Sequence, residues 1–249
     1  MITHPFEKPS APDAGQLLYF RCPSTDPVRN LKLENLLFRH LRQGLFLMLW
    51  RNDPCVIIGR NQEASAEVNL SACAHGIRVI RRLSGGGAVY HDHGTVNYTI
   101  FTDCPADGTL SFGKLAEPVV SALRALGLPV SFGGRNDLIV PDGRKVCGTA
   151  ARIEDGRILS HGCICFSTAP ETIAEYLTPD SGKLARHRVP SVRNRVACLN
   201  EWMPGVTPEQ FLMRLEKALL RDRPAVPYMP DEALIRELAE SSCGIEAIL

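Results

Sequence analysis

The sequence predicts an α+β fold, a mixed and mostly antiparallel sheet packed with helices. Three observations carry this. Strand-like segments outnumber helical ones. Several are joined by short turn signals, "RNDP", "PDG" and "EDG", which favour antiparallel neighbours. The helical stretches place apolar residues at helical spacing, so each has one face to bury.

The elements follow in order. Beyond a loose N-terminal arm, residues 29–43 set Leu33, Leu36, Leu37 and Leu41 at helical spacing and stop at Gly44. "LFLMLW" (45–50) and "CVIIG" (55–59) are short apolar runs that read as a hairpin of buried strands. "IRVIRR" (77–82) is a further strand, and "TVNYTIF" (95–101) alternates and is rich in β-branched and aromatic residues. Phe112, Leu115, Val119, Leu123 and Leu126 mark a helix ended by Gly127-Leu128-Pro129. "DLIV" (137–140), "RKVCGTAARI" (144–153) and "RILSHGCICF" (157–166) are strands, and 170–177 is helical. Thr207-Pro208-Glu209-Gln210 carries a cap, a first-turn proline and a capping-box Gln. A short helix is expected after Pro230.

Composition limits the function classes. The 249 residues suit one large domain, or one with a small appendage, and 45% hydrophobic residues supply a core. With 28 Lys plus Arg against 27 Asp plus Glu, a broad nucleic-acid footprint is not expected, so any anion site is local. Nine cysteines without a CxxC pair argue against a disulfide framework or a zinc site. "MITHPFEKPSAPDAG" has no apolar core of a signal peptide, and no apolar run approaches the roughly 20 residues that span a bilayer. A cytoplasmic protein with reduced thiols, away from membranes, is expected.

Four segments carry candidate chemistry. "RRLSGGGAVYHDHGTVNYT" (81–99) lacks the lysine of a P-loop and the spacing of a dinucleotide turn. Its three glycines permit unusual backbone or a close ligand, while a flexible turn with surface arginines fits the composition equally. Strand alternation turns only one of Arg81 and Arg82 toward the loop. In "GGRNDLIVPDGRKVCGTAARI", Lys145 shares a strand face with Cys147 and Thr149, as in a pocket floor, or is an ordinary solvated lysine. In "SHGCICF", His161 reads as a structural histidine or a ligand, and Cys163 and Cys165 as small buried hydrophobes. "YLTPDSGKLARHRVPSVRNRVACL" carries Lys183, Arg186, Arg188, Arg193 and Arg195, either a lid over a polyanion or a solvated face.

Taken together in this order, these segments resemble the lipoate–protein ligase family over roughly residues 28–222, leaving an N-terminal arm (1–27) and a short C-terminal helical extension (223–249). The 81–99 stretch is similar to the family's Arg-Arg-x-Ser-Gly-Gly-Gly-Ala-Val-(aromatic)-His-Asp signature. "GRNDL" and "RKVCGTA" look like its Gly-Arg-Asn-Asp and Lys-(Ile/Val)-Ser-Gly-x-Ala elements, "SHGCICF" like its histidine-glycine strand, and "KLARHRVPSVRNRV" like its adenylate-binding loop. The upstream "DPCVIIGRNQEASAEVNL" also fits.

The resemblance implies the biotin/lipoate protein ligase-like catalytic fold. It implies activation of lipoate by ATP, with Mg²⁺, to lipoyl-AMP and transfer to a lysine. Acceptors would be lipoyl domains of a 2-oxoacid dehydrogenase acyltransferase subunit or the glycine-cleavage H protein. It makes Lys145 the catalytic residue. The substrate and adenylate site would comprise Arg82, Ser84, Gly85, Gly86, Gly87, Val89, His91, Asn97, Asn136, Asp137, Gly148, Ala150, His161 and Lys183, with Asp137 also the candidate Mg²⁺ ligand. Three features depart from the pattern: Cys147 stands for the usual Ser, Thr95 stands where Asn is common, and few residues follow Leu220. The last implies either a separate accessory chain or a chain that only transfers from preformed lipoyl-AMP. The rival readings are an octanoyltransferase working through a cysteine thioester, for which Cys147 and Cys198 are badly placed, and a non-catalytic lipoyl-domain binding module.

Overall fold

A computed structural model of the chain describes residues 16–74, 76–178, 195–221, 224–241 and 244–249. Strand β1 (Leu17–Arg21) precedes helix α1 (Pro27–His40), which Asp26 caps by accepting from Arg29 N at 2.7 Å. β2 (Leu45–Trp50), β3 (Cys55–Ile58) and two single-turn helices, α2 (Ala64–Glu67) and α3 (Leu70–Cys73), follow. β4 (Arg78–Arg81) and β5 (Val89–His91) flank the Gly-rich loop, and β6 (Thr95–Asp103) leads away from it. α4 (Phe112–Ala125) is capped by Ser111 and ends before Gly127, whose φ of +81° suits glycine. Then come β7 (Ser131–Gly133), β8 (Asp137–Ile139), β9 (Lys145–Glu154), β10 (Arg157–Cys165), α5 (Pro170–Tyr176) and a 3₁₀ turn at Leu199–Glu201. α6 (Pro208–Leu220) carries the expected capping box of Thr207 and Gln210, and β11 (Ala225–Pro227) and α7 (Glu232–Glu240) follow. None of the described helices is long and apolar enough to cross a membrane.

Eight strands form one sheet in the order β11-β1-β2-β6-β10-β9-β8-β7, antiparallel except at the β11-β1 and β1-β2 pairs. A smaller sheet, β4-β3-β5, faces it. One core lies between the large sheet and α4 and α6; Val119, Leu123, Phe211 and Leu215 belong to it. A second joins the sheet's other side to α1, α7 and the small sheet. A third covers the far side of the small sheet.

Two expectations are corrected here. The runs 45–50 and 55–59 do not pair as a hairpin. β2 lies between β1 and β6, and β3 between β4 and β5. Both are buried on both faces and so need neighbours of their own. The connector is steered by Asn52, fully buried, whose amide oxygen accepts from Asn30 Nδ2 at 2.9 Å. Nor is the segment before residue 27 wholly loose, because Leu17–Arg21 is an interior strand. The C-terminal residues are likewise stitched in: β11 pairs with β1, Leu234 and Leu238 join the second core, and Ile248 N donates to Val79 O at 2.6 Å.

Candidate active site

β-Sheet register lays out the floor of the site. Directly opposed residues across β2, β6, β10, β9 and β8 run Trp50, Asn97, Cys163, Gly148, Asp137. Opposed residues share a face, so these five form one row. Two residues along, Thr99, His161 and Ala150 form a second row on the same face. The small sheet and its Gly-rich loop close over these rows, leaving a cleft with two halves. The narrower half is bordered by Leu31, Trp50, Ile57, His91, Asn97 and His161. The wider half is bordered by Thr95, Asp137, Cys165 and Arg195. Ala88, Val89, Lys145, Gly148 and Cys163 border both.

The Gly-rich loop is pinned rather than a free turn, and Arg82 does the pinning. Only 6% exposed, it donates from Nη2 to Gly85 O (2.7 Å) and Gly87 O (2.8 Å) and from Nε to Ser84 Oγ (3.1 Å). Arg81 points the other way, to the carbonyls of Gly59, Arg60 and Gln62. Burial lowers the Arg82 pKa to about 10, which still leaves it charged. Gly86 has φ +95°, and a Cβ on Gly59 would sit 2.1 Å from Gly86 O. Both glycines are therefore required by backbone approach and conformation.

A buried chain of hydrogen bonds ties this loop to the floor. His161 Nε2 lies 2.7 Å from Ser84 Oγ, and its Nδ1 lies 2.9 Å from Glu34 Oε1. Glu34 Oε1 also accepts from Thr99 Oγ1 (2.6 Å), which accepts from Trp50 Nε1 (3.0 Å). Glu34 is missing from the residues expected from the sequence. Its signal was available: on α1 it falls three residues from both Leu31 and Leu37, on the buried stripe.

Two donors point into the narrow half unpaired. Asn97 is 1% exposed and its Nδ2 has no partner. His91 Nδ1 accepts from Asn52 Nδ2 at 3.1 Å, so the ring proton sits on Nε2, which is buried and unpartnered. Burial, with Arg82 and His161 adding to it, pushes the His91 pKa down to about 3 and keeps the ring neutral. Buried donors without partners are costly, and here they face the cleft.

Lys145 stands where the halves meet. Its Nζ lies 2.9 Å from Asp137 Oδ1, and its side chain crosses Gly148, where a Cβ would fall 2.8 Å from Nζ. Burial works against the charged form, but the Asp137 carboxylate outweighs it and raises the lysine pKa. The expected floor of Lys145, Cys147 and Thr149 is corrected. Alternation puts Gly148 and Ala150 on the floor and turns Cys147 into the core beside Leu138. Lys145 reaches the cleft because its side chain crosses the bare Gly148. Asn136 borders it too, although its Nδ2 donates to Thr149 O at 2.6 Å and clasps β9. The segment after residue 194 is anchored beside the lysine, with Ala197 N donating to Lys145 O at 2.9 Å. Lys183, Arg186, Arg188 and Arg193 lie outside the described residues.

Of the cysteines read as buried hydrophobes, Cys165 is buried, 3.3 Å from Cys198 Sγ. Cys163 is only partly buried, opposite Gly148 on the neighbouring strand. Among the described residues no three His, Cys, Asp or Glu side chains cluster as metal ligands. Asp137 offers a single carboxylate, enough for a Mg²⁺ whose other ligands come from phosphate and water.

Comparison with known proteins gives the family. Residues 26–220 match the family model of the lipoyl protein ligase A/B catalytic domain. The chain belongs to this family. It is 39% identical over 193 residues to the lipoate-protein ligase LplJ of Bacillus subtilis (strain 168), covering 76% of this chain and 58% of that one. The lipoyl ligase fold is equally clear in solved structures. One, a bi-partite lipoate protein ligase and its E2 lipoyl domain from Thermoplasma acidophilum, is 30% identical with TM-score 0.73 and 92% coverage of both chains. Another, lipoate-protein ligase A bound with ATP, is 28% identical with TM-score 0.71, covering 92% of this chain and 95% of the other.

Proposed function

We propose that this chain is the catalytic unit of a lipoate–protein ligase. It joins lipoate to ATP, releasing pyrophosphate and forming lipoyl-AMP, and then passes the lipoyl group to a lysine of a lipoyl domain. The observation that carries the reading is Lys145 at the junction of the cleft's two halves, beside the unpartnered donors of Asn97 and His91.

The narrow half takes the acyl chain among Leu31, Trp50, Ile57 and Val89. The wider half takes the nucleotide, and a relative bound with ATP supports the use of that nucleotide. In activation, the carboxylate oxygen attacks the α-phosphorus while charge builds on the phosphoryl oxygens. The Lys145 ammonium, held by Asp137, is already in place to stabilise that charge. Asn97 Nδ2 and His91 Nε2 donate to acyl oxygens as they approach. A Mg²⁺ held by Asp137 and the phosphates would add charge neutralisation. In transfer, the acceptor amine attacks the acyl carbon and AMP leaves. No nucleophile on the enzyme is required.

The lipoyl domain in the Thermoplasma acidophilum system supports a lipoyl-domain acceptor. The chain spans 58% of the length of LplJ and covers 92% of a chain from a structure described as a bi-partite lipoate protein ligase. Lipoate-dependent ATP–pyrophosphate exchange tests the reading, measured with the chain alone and with candidate accessory chains. Exchange in either case supports it. Absence of exchange together with failure to transfer from synthetic lipoyl-AMP to a lipoyl domain would overturn it.

A further inference from the structure

We infer that Arg144 and Glu201 are positioning residues for nucleotide binding: their ion pair holds residues 195–197 against the start of β9 and so sets the grip of the wider half of the cleft. This rests on the ligase reading, and assigns to it two residues that touch no substrate.

Residues 195–197 reach the site as an added edge. Val196 bridges in parallel to Lys145, and Ala197 N donates to Lys145 O at 2.9 Å. Arg195, an exposed cation, borders the wider half together with Val196, and neither borders the narrower one. Downstream, Asn200 N donates to Phe166 O at 2.8 Å, which ties the 3₁₀ turn to the end of β10. The backbone bond at Lys145 fixes a distance to β9 but leaves the angle of the edge open.

The Arg144 side chain supplies the second attachment to β9. Its Nη1 donates to Glu201 Oε1 at 3.0 Å and its Nη2 to Glu201 Oε2 at 2.9 Å. Nε donates to Asp142 Oδ2 at 2.8 Å, and the guanidinium carbon stands 5.9 Å from the centre of the Trp202 ring. Glu201 Oε1 also accepts from Cys198 N at 3.2 Å, so one carboxylate ties the start of β9 to the start of the 3₁₀ turn. A bidentate fork specifies orientation as well as distance, which a lysine in place of Arg144 could not do.

The pair does little for the fold. The arginine side chain is 30% exposed and the glutamate 42%, and exposed pairs contribute about 0–1 kcal/mol to stability. Its consequence is geometric. Lys145 and Arg195 are the two cations that border the wider half, one on β9 and one on the added edge. The angle between strand and edge sets their separation, and with it the fit to the phosphate of the nucleotide. Leu31, Trp50, Ile57 and His91, around the narrower half, sit on other elements. The acyl chain should therefore be indifferent to the pair.

The test is equilibrium binding of synthetic lipoyl-AMP and of lipoate, titrated separately into the full chain, with melting temperatures alongside. Arg144→Ala, Arg144→Lys and Glu201→Gln should each weaken lipoyl-AMP binding about five-fold, the equivalent of roughly 1 kcal/mol. Lipoate affinity and melting temperature should stay at the wild-type values. Arg144→Glu should be worse, and adding Glu201→Arg to it should recover part of the loss. Wild-type affinity for lipoyl-AMP in Arg144→Ala would overturn the inference and leave the ligase reading intact. So would equal losses for lipoate and lipoyl-AMP, a fall in melting temperature that accompanies the loss, or an exchanged pair no better than Arg144→Glu. Wild-type protein that does not bind lipoyl-AMP would remove both.

Discussion

Lys145 Nζ meets Asp137 Oδ1 at 2.9 Å although the two residues are not opposed in the sheet: Asp137 is opposite Gly148. A register shift between Leu138 and Ile139, together with the bare Gly148, lets the lysine reach across. We expect Lys145→Ala to lower the rate of lipoyl-AMP formation by about 10²–10³, the usual effect of removing one preorganised charge-stabilising donor. Thermal unfolding should change little, since both partners are more than a third exposed. Gly148→Ala should lower the same rate by displacing the ammonium. Pyrophosphate-release kinetics beside melting curves check both.

The Glu34–His161–Ser84 chain makes a stability statement. Glu34→Ala leaves Thr99 Oγ1 and His161 Nδ1 without their shared acceptor in a buried setting. A loss of roughly 2–3 kcal/mol is expected for orphaning such groups, together with a raised lipoate KM because His161 and Ser84 hold the loop. Urea unfolding read against steady-state kinetics separates the two effects.

His91 makes stability depend on pH. Burial holds its folded pKa near 3, below the ordinary value of 6.5. The unfolded chain therefore takes up the proton first. The contribution of this group is fully present above about pH 6.5 and is lost as pH falls toward 3, at up to about 1.4 kcal/mol per pH unit. His91→Gln should show a shallower loss between pH 7 and pH 5 by denaturant titration. An identical slope would mean the buried ring is not the source.

Gly59 tests the loop's backbone packing. A Cβ there meets Gly86 O at 2.1 Å, and a main-chain atom cannot swing aside as a side-chain tip can. Gly59→Ala should cost about 1–3 kcal/mol as an overpacking change and raise KM for lipoate. Gly85→Ala, with open space at that position, should be the milder substitution in both measurements.

Much of this was legible in the sequence because it is local. Alternation marks β6, β9 and β10, while the Gly-rich stretch, Lys145 and His161, each ambiguous by residue type alone, stand out only through the order of the segments that carry them. What was not legible depends on register and on partners distant in sequence. Nothing local says that Asn97, Cys163, Gly148 and Asp137 fall in one row, or that Glu34, 127 residues from His161, is its partner. β1 was passed over because five residues beside a polar segment give little pattern, and β11 because it is three residues long. The supposed hairpin failed for the same reason: two apolar runs and a turn do not reveal that each run belongs to a different sheet.

The most direct test of the central claim, that Lys145 at the junction of the cleft drives acyl-adenylate chemistry, is single-turnover transfer from synthetic lipoyl-AMP to a lipoyl domain. Acceptor mass is followed for wild type and Lys145→Ala at equal, verified occupancy. Transfer by wild type well above the uncatalysed rate, and its collapse in Lys145→Ala, is the expected result. Equal rates for the two proteins would contradict it.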